Sequence, residues 1–508
     1  MKKQPLIPLL ALSFLPWSAY AGSGTWLANP VDNNWNNPAN WSSGTVPNSS
    51  TDIATFSVSA ITGISVADHT FVGGIVFSQG ANSFTITNLP IDTLGFWFFG
   101  GITNESNVTQ NFVVPSDDAG NASYFSFSEG ANAGDGINFT VKANPISGSF
   151  APAVQFELGA LAGSATFYNE GGSASGASGG RTNFFYSQTS ADQCTIINDG
   201  ATASGATGGA TFFDLAKPTA GNATLIANGG TNGGGGGSFS FDGGSLGGTA
   251  RLELFSNGYM DMSNHVGPSL SIGSIEEDGQ VYLGKSTLMV GANNLSTTFS
   301  GVLHPGSPTG GSGTGALTKT GSGTLTLSGA NLYTAGTIVS TGTLVISNTT
   351  GSGTGTGAVS VNAGTLGGKG IISGAVTVGT GSGAGAFLAP AHGTTAQTTF
   401  TIQSALTFNA DATYTYTFKA KKKKARADKV IANGVTINSG ATFAFQGTAQ
   451  GTLTQGLVLT VISNTAAMPI SGTFSNLADG ATLTVNGNNF QASYEGGDGN
   501  DLTLTVVP

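Results

Sequence analysis

The sequence predicts an all-β chain wound into a parallel β-solenoid and closed by a cap at each end. Three observations lead there. Between Gly315 and Gly379, aliphatic residues two apart (Leu325/Leu327, Leu344/Ile346, Val359/Val361, Val376/Val378) place both side chains on one face of a strand, because strand side chains alternate. Within that stretch Gly-Thr-Leu recurs at Gly323, Gly342 and Gly364, spacings of 19 and 22 residues, which is the self-similarity of stacked coils. Composition agrees: Gly is 80 of 508 residues, about twice the usual ~7%, and charged residues are 8% against a usual ~25%. A soluble helix needs a charged outer face, so that scarcity excludes long helices. The regularly spaced apolar fraction of 39% excludes a disordered chain.

The first residues, MKKQPLIPLLALSFLPWSAYA, carry Lys2 and Lys3, an apolar run from Leu6 to Trp17, and Ala19-Tyr20-Ala21. This is the pattern of a secretory signal peptide over residues 1–21, with cleavage expected after Ala21. The run is short and broken by Pro8 and Pro16, which argues against a membrane anchor. No later stretch reaches ~18 uninterrupted apolar residues, so no transmembrane span is expected in the mature chain. A net charge of −10 argues against nucleic acid as a general partner. The single cysteine, Cys194, forms no intrachain disulfide and is read as a small core residue, so an exported chain must draw its stability from stacking.

Residues 22–115 are aromatic and less repetitive. Trp26, Trp35 and Trp41 lie among Asn, Pro and Gly; such aromatics either stack on sugar rings or cover the first open coil, and the cap is the expected role. LGFWFFGG at Leu94–Gly101 is the most hydrophobic stretch after the leader and is expected to be a buried rung. Over residues 116–301 a second period appears: Ala165-Thr166-Phe167, Cys194-Thr195-Ile196 and Ala223-Thr224-Leu225 start 29 residues apart, and Ala250-Arg251-Leu252 follows 27 later. Gly-rich turns and Phe-containing strands (Phe184, Phe213, Phe239 and Phe241) alternate with them. Glycine turns corners at positive φ and lets coils approach. Residues 302–398 hold the tersest strands. From residue 399 to 508 the period loosens, as expected for a distal cap of longer strands that hides an open edge.

TKTGSGTLTLSGANLYTAGT resembles the autotransporter-associated β-strand repeat, also called the passenger-associated transport repeat. The resemblance rests on Lys319–Leu325, Ser328–Thr337 and, in the later half, Gly364–Gly370, and is dense over residues 316–390. It implies a right-handed parallel β-helix, in keeping with the general handedness of parallel crossovers. It also implies bacterial export and a surface or secreted role without a known active site. Complete autotransporters end in a membrane barrel; this sequence ends at Val506-Val507-Pro508 without a series of alternating strands of about ten residues, so a separate outer-membrane export machine is expected.

Few constellations carry chemistry. Lys419, Lys421, Lys422, Lys423, Lys424, Arg426 and Lys429 gather seven of the chain's 16 basic residues. Mutual repulsion predicts a solvated loop, and the functional alternative is a patch for an anionic envelope polymer. Gly496–Asp501 fits the first six positions of the Gly-Gly-x-Gly-x-Asp calcium nonapeptide, but a single copy reads as a turn. Gly-x-Ser-x-Gly at Gly176–Gly180 and Gly243–Gly247 carries no weight in so Gly-rich a chain. His69, His265, His304 and His392 are scattered, none at metal-ligand spacing. Glu276, Glu277 and Asp278, with Arg251 about one coil earlier, are the acids a polysaccharide lyase or hydrolase would need. Their place before Gly279 predicts a solvated turn. No cofactor, metal or catalytic residue is expected. The reading is an exported cell-surface or secreted β-helix with a structural and adhesive role and a cell-surface glycan as partner. The alternative is a polysaccharide-active enzyme or glycan-binding module.

Overall fold

The computed structural model describes residues 22–90, 95–383, 385–392 and 397–508. The expected leader and Leu94 lie outside the described residues. Among those described, helix is confined to one 3-10 turn, Pro38–Asn40; the rest of the regular structure is strand. The chain is an all-β solenoid of stacked parallel walls, as the periodicity predicts.

The first wall runs from Gly24–Thr25 through Tyr124–Phe127, Ala153–Phe156 and Arg181–Phe185 to Val302–His304. The second persists from Gly63–Val66 to Thr442–Gln450. In the early coils the third wall is a column of single parallel bridges, Asn132–Leu161–Ser190–Thr219–Leu246. From Ser269–Ile272 to Val435–Ile437 it becomes a sheet of true strands. Where the first wall ends, a fourth sheet takes its place, from Ile371–Ile372 through Thr399–Ile402 and Lys429–Ala432.

Register follows the sequence marks. Thr166, Thr195, Thr224 and Arg251 stack in one column of the second wall, and Leu325, Leu344 and Leu366 in another. The Gly-Thr-Leu repeats are therefore successive windings. Corner glycines allow the close approach: a Cβ on Gly171 would lie 2.3 Å from the carbonyl oxygen of Gly200, and one on Gly200 2.2 Å from the carbonyl carbon of Gly229.

Inside the first wall, Phe98, Phe127, Phe156, Phe184, Phe213 and Phe241 form an unbroken stack, with centroids 4.4, 5.0, 4.8, 4.9 and 4.8 Å apart and planes within 11°. This spacing is the strand spacing itself, so each ring fills the space left by its neighbour. Beside it runs a buried polar column in which Asn169 bonds Asn198 and both meet Thr182 or Thr211. Cys194 is fully buried in the same core.

Both ends are closed. Trp26, Trp35 and Trp41 are at most 2% exposed and pack edge-on, 5.3 and 4.8 Å between centroids, over Phe56. The Trp41 indole N–H donates to Trp35 O and that of Trp26 to Ile61 O. These rings form the cap; no face is left for a sugar. At the other end, parallel coiling continues through residues 399–450. Val458–Asn464 still pairs parallel with Lys429–Ala432 and then antiparallel with Asp501–Val507; Asn488–Gly496 and Thr482–Val485 complete the meander. Antiparallel strands bring their own partners and leave no coil edge waiting for another.

Candidate functional site

Alternation along the first wall sends every second side chain outward. In Gly95–Phe98, Phe96 and Phe98 enter the core while Trp97 faces out, so the expected buried rung is buried on one face only. Trp97 stacks on Phe71 (4.8 Å, 11°), lies 5.5 Å from His69, and meets Tyr124 edge-on at 5.3 Å. Tyr124 pairs with Gly95, and a Cβ there would sit 2.5 Å from the phenol Cε2 and Cζ. The phenol ring therefore packs closely against the glycine, in space that any side chain at Gly95 would fill. Burial, with Glu157 nearby, raises the Tyr124 hydroxyl pKa.

Further along, the outward positions are Gln155, Arg181, Asn183 and Phe212, with the Arg181 guanidinium 5.5 Å above the Phe212 ring. Then come Tyr259, Tyr282 and His304. Tyr282 and His304 stack at 4.7 Å, and His304 Nε2 contacts Gln280 Oε1 at 2.6 Å. Burial holds the His304 pKa below its ordinary value. At the wall's edge Asp242 is pushed up to about 6, first by burial and then by Asp214 and Asp261. This outer face escaped the sequence reading. The signal was present in Gly-Phe-Trp-Phe, whose alternation sets Trp97 against both phenylalanines.

Arg251 does lie beside the acids: its Nε and Nη2 donate to Glu276 Oε1 (2.7 Å) and Oε2 (2.9 Å), and Nη1 reaches Glu253 at 3.1 Å. Glu276 and Glu277 end the strand Ser274–Glu277 and do not form the solvated turn expected before Gly279. The reason is register, since Glu253 pairs with Glu276 on adjacent coils and Arg251 supplies the cation that two stacked carboxylates require. Arg251 thus fastens two coils together.

The basic run also differs from expectation. It is a β-hairpin, not a loop: Ala412–Lys421 turns at Lys422 and Lys423 and returns as Lys424–Ala427. Alternating Tyr414, Tyr416 and Phe418 are buried and anchor the long strand, which carries the lysines with it beyond the coil. Lys429 leaves this group. It opens the next strand, near Asp501, whose pKa is raised by burial, an effect the Lys429 charge opposes only weakly.

Gly496–Asp501 is the turn between the last two strands, with Gly496 paired to Asp501 and the Asp501 carboxylate accepting from Asn464 N–H at 2.9 Å. The four histidines remain apart; His265 contacts Ser269 O and His392 the Thr343 hydroxyl. Of the Gly-x-Ser-x-Gly serines, Ser178 pairs through its backbone with Asn144, and Ser245 is buried. Among the described residues no group of three or more His, Cys, Asp or Glu is arranged to hold a metal, and no helix is long and apolar enough to cross a membrane.

The repeat residues are structural. Lys319 is 1% exposed and its ammonium donates to Thr320 O and Gly321 O; burial pushes its pKa down to about 8. Asn331 accepts from Leu303 N–H one coil before and donates to Gly353 O one coil after. Tyr333 is buried with its hydroxyl 2.6 Å from that of Thr337.

The family model described as passenger-associated-transport-repeat matches residues 317–346, which bears out the resemblance read from Lys319 to Thr337. Among solved structures, the crystal structure of the Haemophilus influenzae Hap adhesin is 11% identical, with a TM-score of 0.24; the match covers 90% of this chain and 64% of that chain. The chain thus spans less than two thirds of that protein's chain. No curated protein matches.

Proposed function

We propose that the chain is an exported cell-surface or secreted β-solenoid that acts structurally and adhesively, with its glycan contacts on the outer face of the first wall. One observation carries the reading. The core is complete without Phe71, Trp97 and Tyr124, yet these rings pack against one another on the outside, on the same wall face as the planar hydrogen-bonding groups of Gln155 and Arg181. A sugar offers an apolar ring face to an aromatic and hydroxyls to amides and guanidinium. Repetition along the coils makes such contacts weak singly and strong together. The passenger-associated-transport-repeat match supports export through an outer-membrane machine.

Surface protease shaving of intact cells tests the location, and a glycan screen with the Trp97→Ala, Tyr124→Ala chain tests the contact. The expected result is shaving without lysis and loss of glycan capture in the variant. Retention inside the cell overturns the location, and unchanged capture overturns the site.

A second reading, polysaccharide cleavage, is favoured by Asp242, whose Oδ1 is buried without a hydrogen-bond partner and whose pKa burial, and then Asp214 and Asp261, push up to about 6. That is the environment of a general acid. Reducing-end release abolished by Asp242→Asn would establish it.

A further inference from the structure

We propose that the hairpin of Ala412–Lys421 and Lys424–Ala427 is a docking site for a carboxylated polysaccharide, a surface separate from the first wall. In this hairpin Lys419 stands directly opposite Arg426, and Lys421 directly opposite Lys424. Like charges facing across a strand pair destabilise it. The turn adds Lys422, at φ 51°, and Lys423; a left-handed position suits Asn or Gly better than Lys. A merely solvated connection would not concentrate cations where pairing opposes them.

The ribbon is also two-faced. Ala420 pairs with Ala425 and Phe418 with Ala427, and this face packs on the core; Phe418 is fully buried and Ala420 is 5% exposed. Four cations consequently share the opposite face, spaced about 5 Å across the ribbon and about 7 Å along it.

Among the described residues no acid forms a salt bridge with Lys421, Lys424 or Arg426. Asp428, next to the hairpin, accepts from Thr398 N–H and from the N–H and hydroxyl of Thr417. The neighbouring coil presents Thr448 beside Lys419 and Gln450 beside Lys421. Seven basic residues fall in this short run of a chain whose net charge is −10.

The residue types choose the occupant. Lysine ammoniums are hydrated point charges that suit a flexible chain of separated anions, whereas a fixed phosphate cradle favours arginine forks. The hairpin's charged face offers no aromatic ring for a base to stack on, and the acidic remainder of the chain repels a duplex. Regularly placed carboxylates on a sugar chain fit a ribbon of regularly placed ammoniums.

The test uses the mature chain with polygalacturonate as probe, its methyl ester as neutral control, and single-stranded DNA of equal charge. Titration calorimetry is run at about 50 and 200 mM salt, between which affinity should fall at least about tenfold. Replacing Lys421 to Lys424 together by Ser should lower affinity at least tenfold and flatten the salt dependence, while replacing them by Arg should retain binding. Circular dichroism of the Arg variant keeps the comparison on a folded chain. Absence of polygalacturonate binding at low salt, equal binding of the ester, unchanged affinity in the Ser variant, or tighter binding of DNA would each overturn the proposal. Because first-wall variants leave the hairpin intact, a Trp97→Ala, Tyr124→Ala chain should bind polygalacturonate like the parent whatever becomes of the adhesive reading.

Discussion

The side-chain amide of Asn169 donates to the side-chain oxygen of Asn198 one coil later, 2.7 Å away, with both residues fully buried. Asn198 in turn donates to Ser238 O at 2.6 Å and to the Thr211 hydroxyl at 3.1 Å. One amide therefore ties its own coil to those on either side. Asn198→Ala should strand these partners without water and lower stability by about 1–3 kcal/mol, read as a shift of the denaturation midpoint.

The stacked rings inside the first wall and the ring outside it should respond differently to the same change. Phe184 lies between Phe156 and Phe213, and its removal leaves a cavity that fixed walls cannot close. Phe184→Ala should cost about 3–5 kcal/mol. Phe212→Ala, on the outer face of the next coil, should stay within about 0.5 kcal/mol in the same denaturation experiment.

Lys319 supplies a pH signature. Its pKa is about 8 in the fold against 10.5 ordinarily, so between these values the unfolded chain binds the extra proton. Stability should therefore rise from pH 8 upward. Measurement between pH 8 and about 9.5 stays below ordinary tyrosine ionisation. Lys319→Met should remove the rise; a parent whose stability is flat across that window would refute the assignment.

Asp242 gives a signature of the opposite slope. Its folded pKa of about 6 lies above the ordinary 3.8, so its contribution is fully present below 3.8 and is lost as pH rises through 6. Between pH 4 and 6.5 the parent should lose stability relative to Asp242→Asn, the gap closing at the acid end. Partial solvent access keeps the effect below its full linkage value.

Removing residues 458–508 should expose the fourth sheet at Lys429–Ala432 and the end of the second wall at Thr442–Gln450. Light scattering should show aggregation of the truncated chain at concentrations where the parent is monodisperse.

Much of this architecture is legible in the sequence because parallel stacking repeats local marks. Gly323, Gly342 and Gly364 announce the later coils, and Thr166, Thr195 and Thr224 the earlier ones, since each column requires the same residue type at the same station. What is not legible depends on partners in other coils. Arg251 stands 25 residues before Glu276, and only the register of adjacent strands brings them together. The basic run offers repulsion to a sequence reading; the pull of Tyr414, Tyr416 and Phe418 into the core, which extends the strand through it, is a tertiary effect. The outward rings at Trp97 and Tyr124 were hidden by the hydrophobicity of their own neighbours.

The second wall continues without a break in pairing from Gly63–Val66 to Thr442–Gln450. At about 4.8 Å per winding it forms a rod of roughly 70 Å. The outward rings at Trp97 and Tyr124 on the first wall and the basic hairpin at Lys421–Lys424 sit toward opposite ends of the stack, with the intervening coils between them. On the readings proposed above, such a body would bridge a sugar-coated surface and an acidic matrix, at a separation fixed by how many turns lie between.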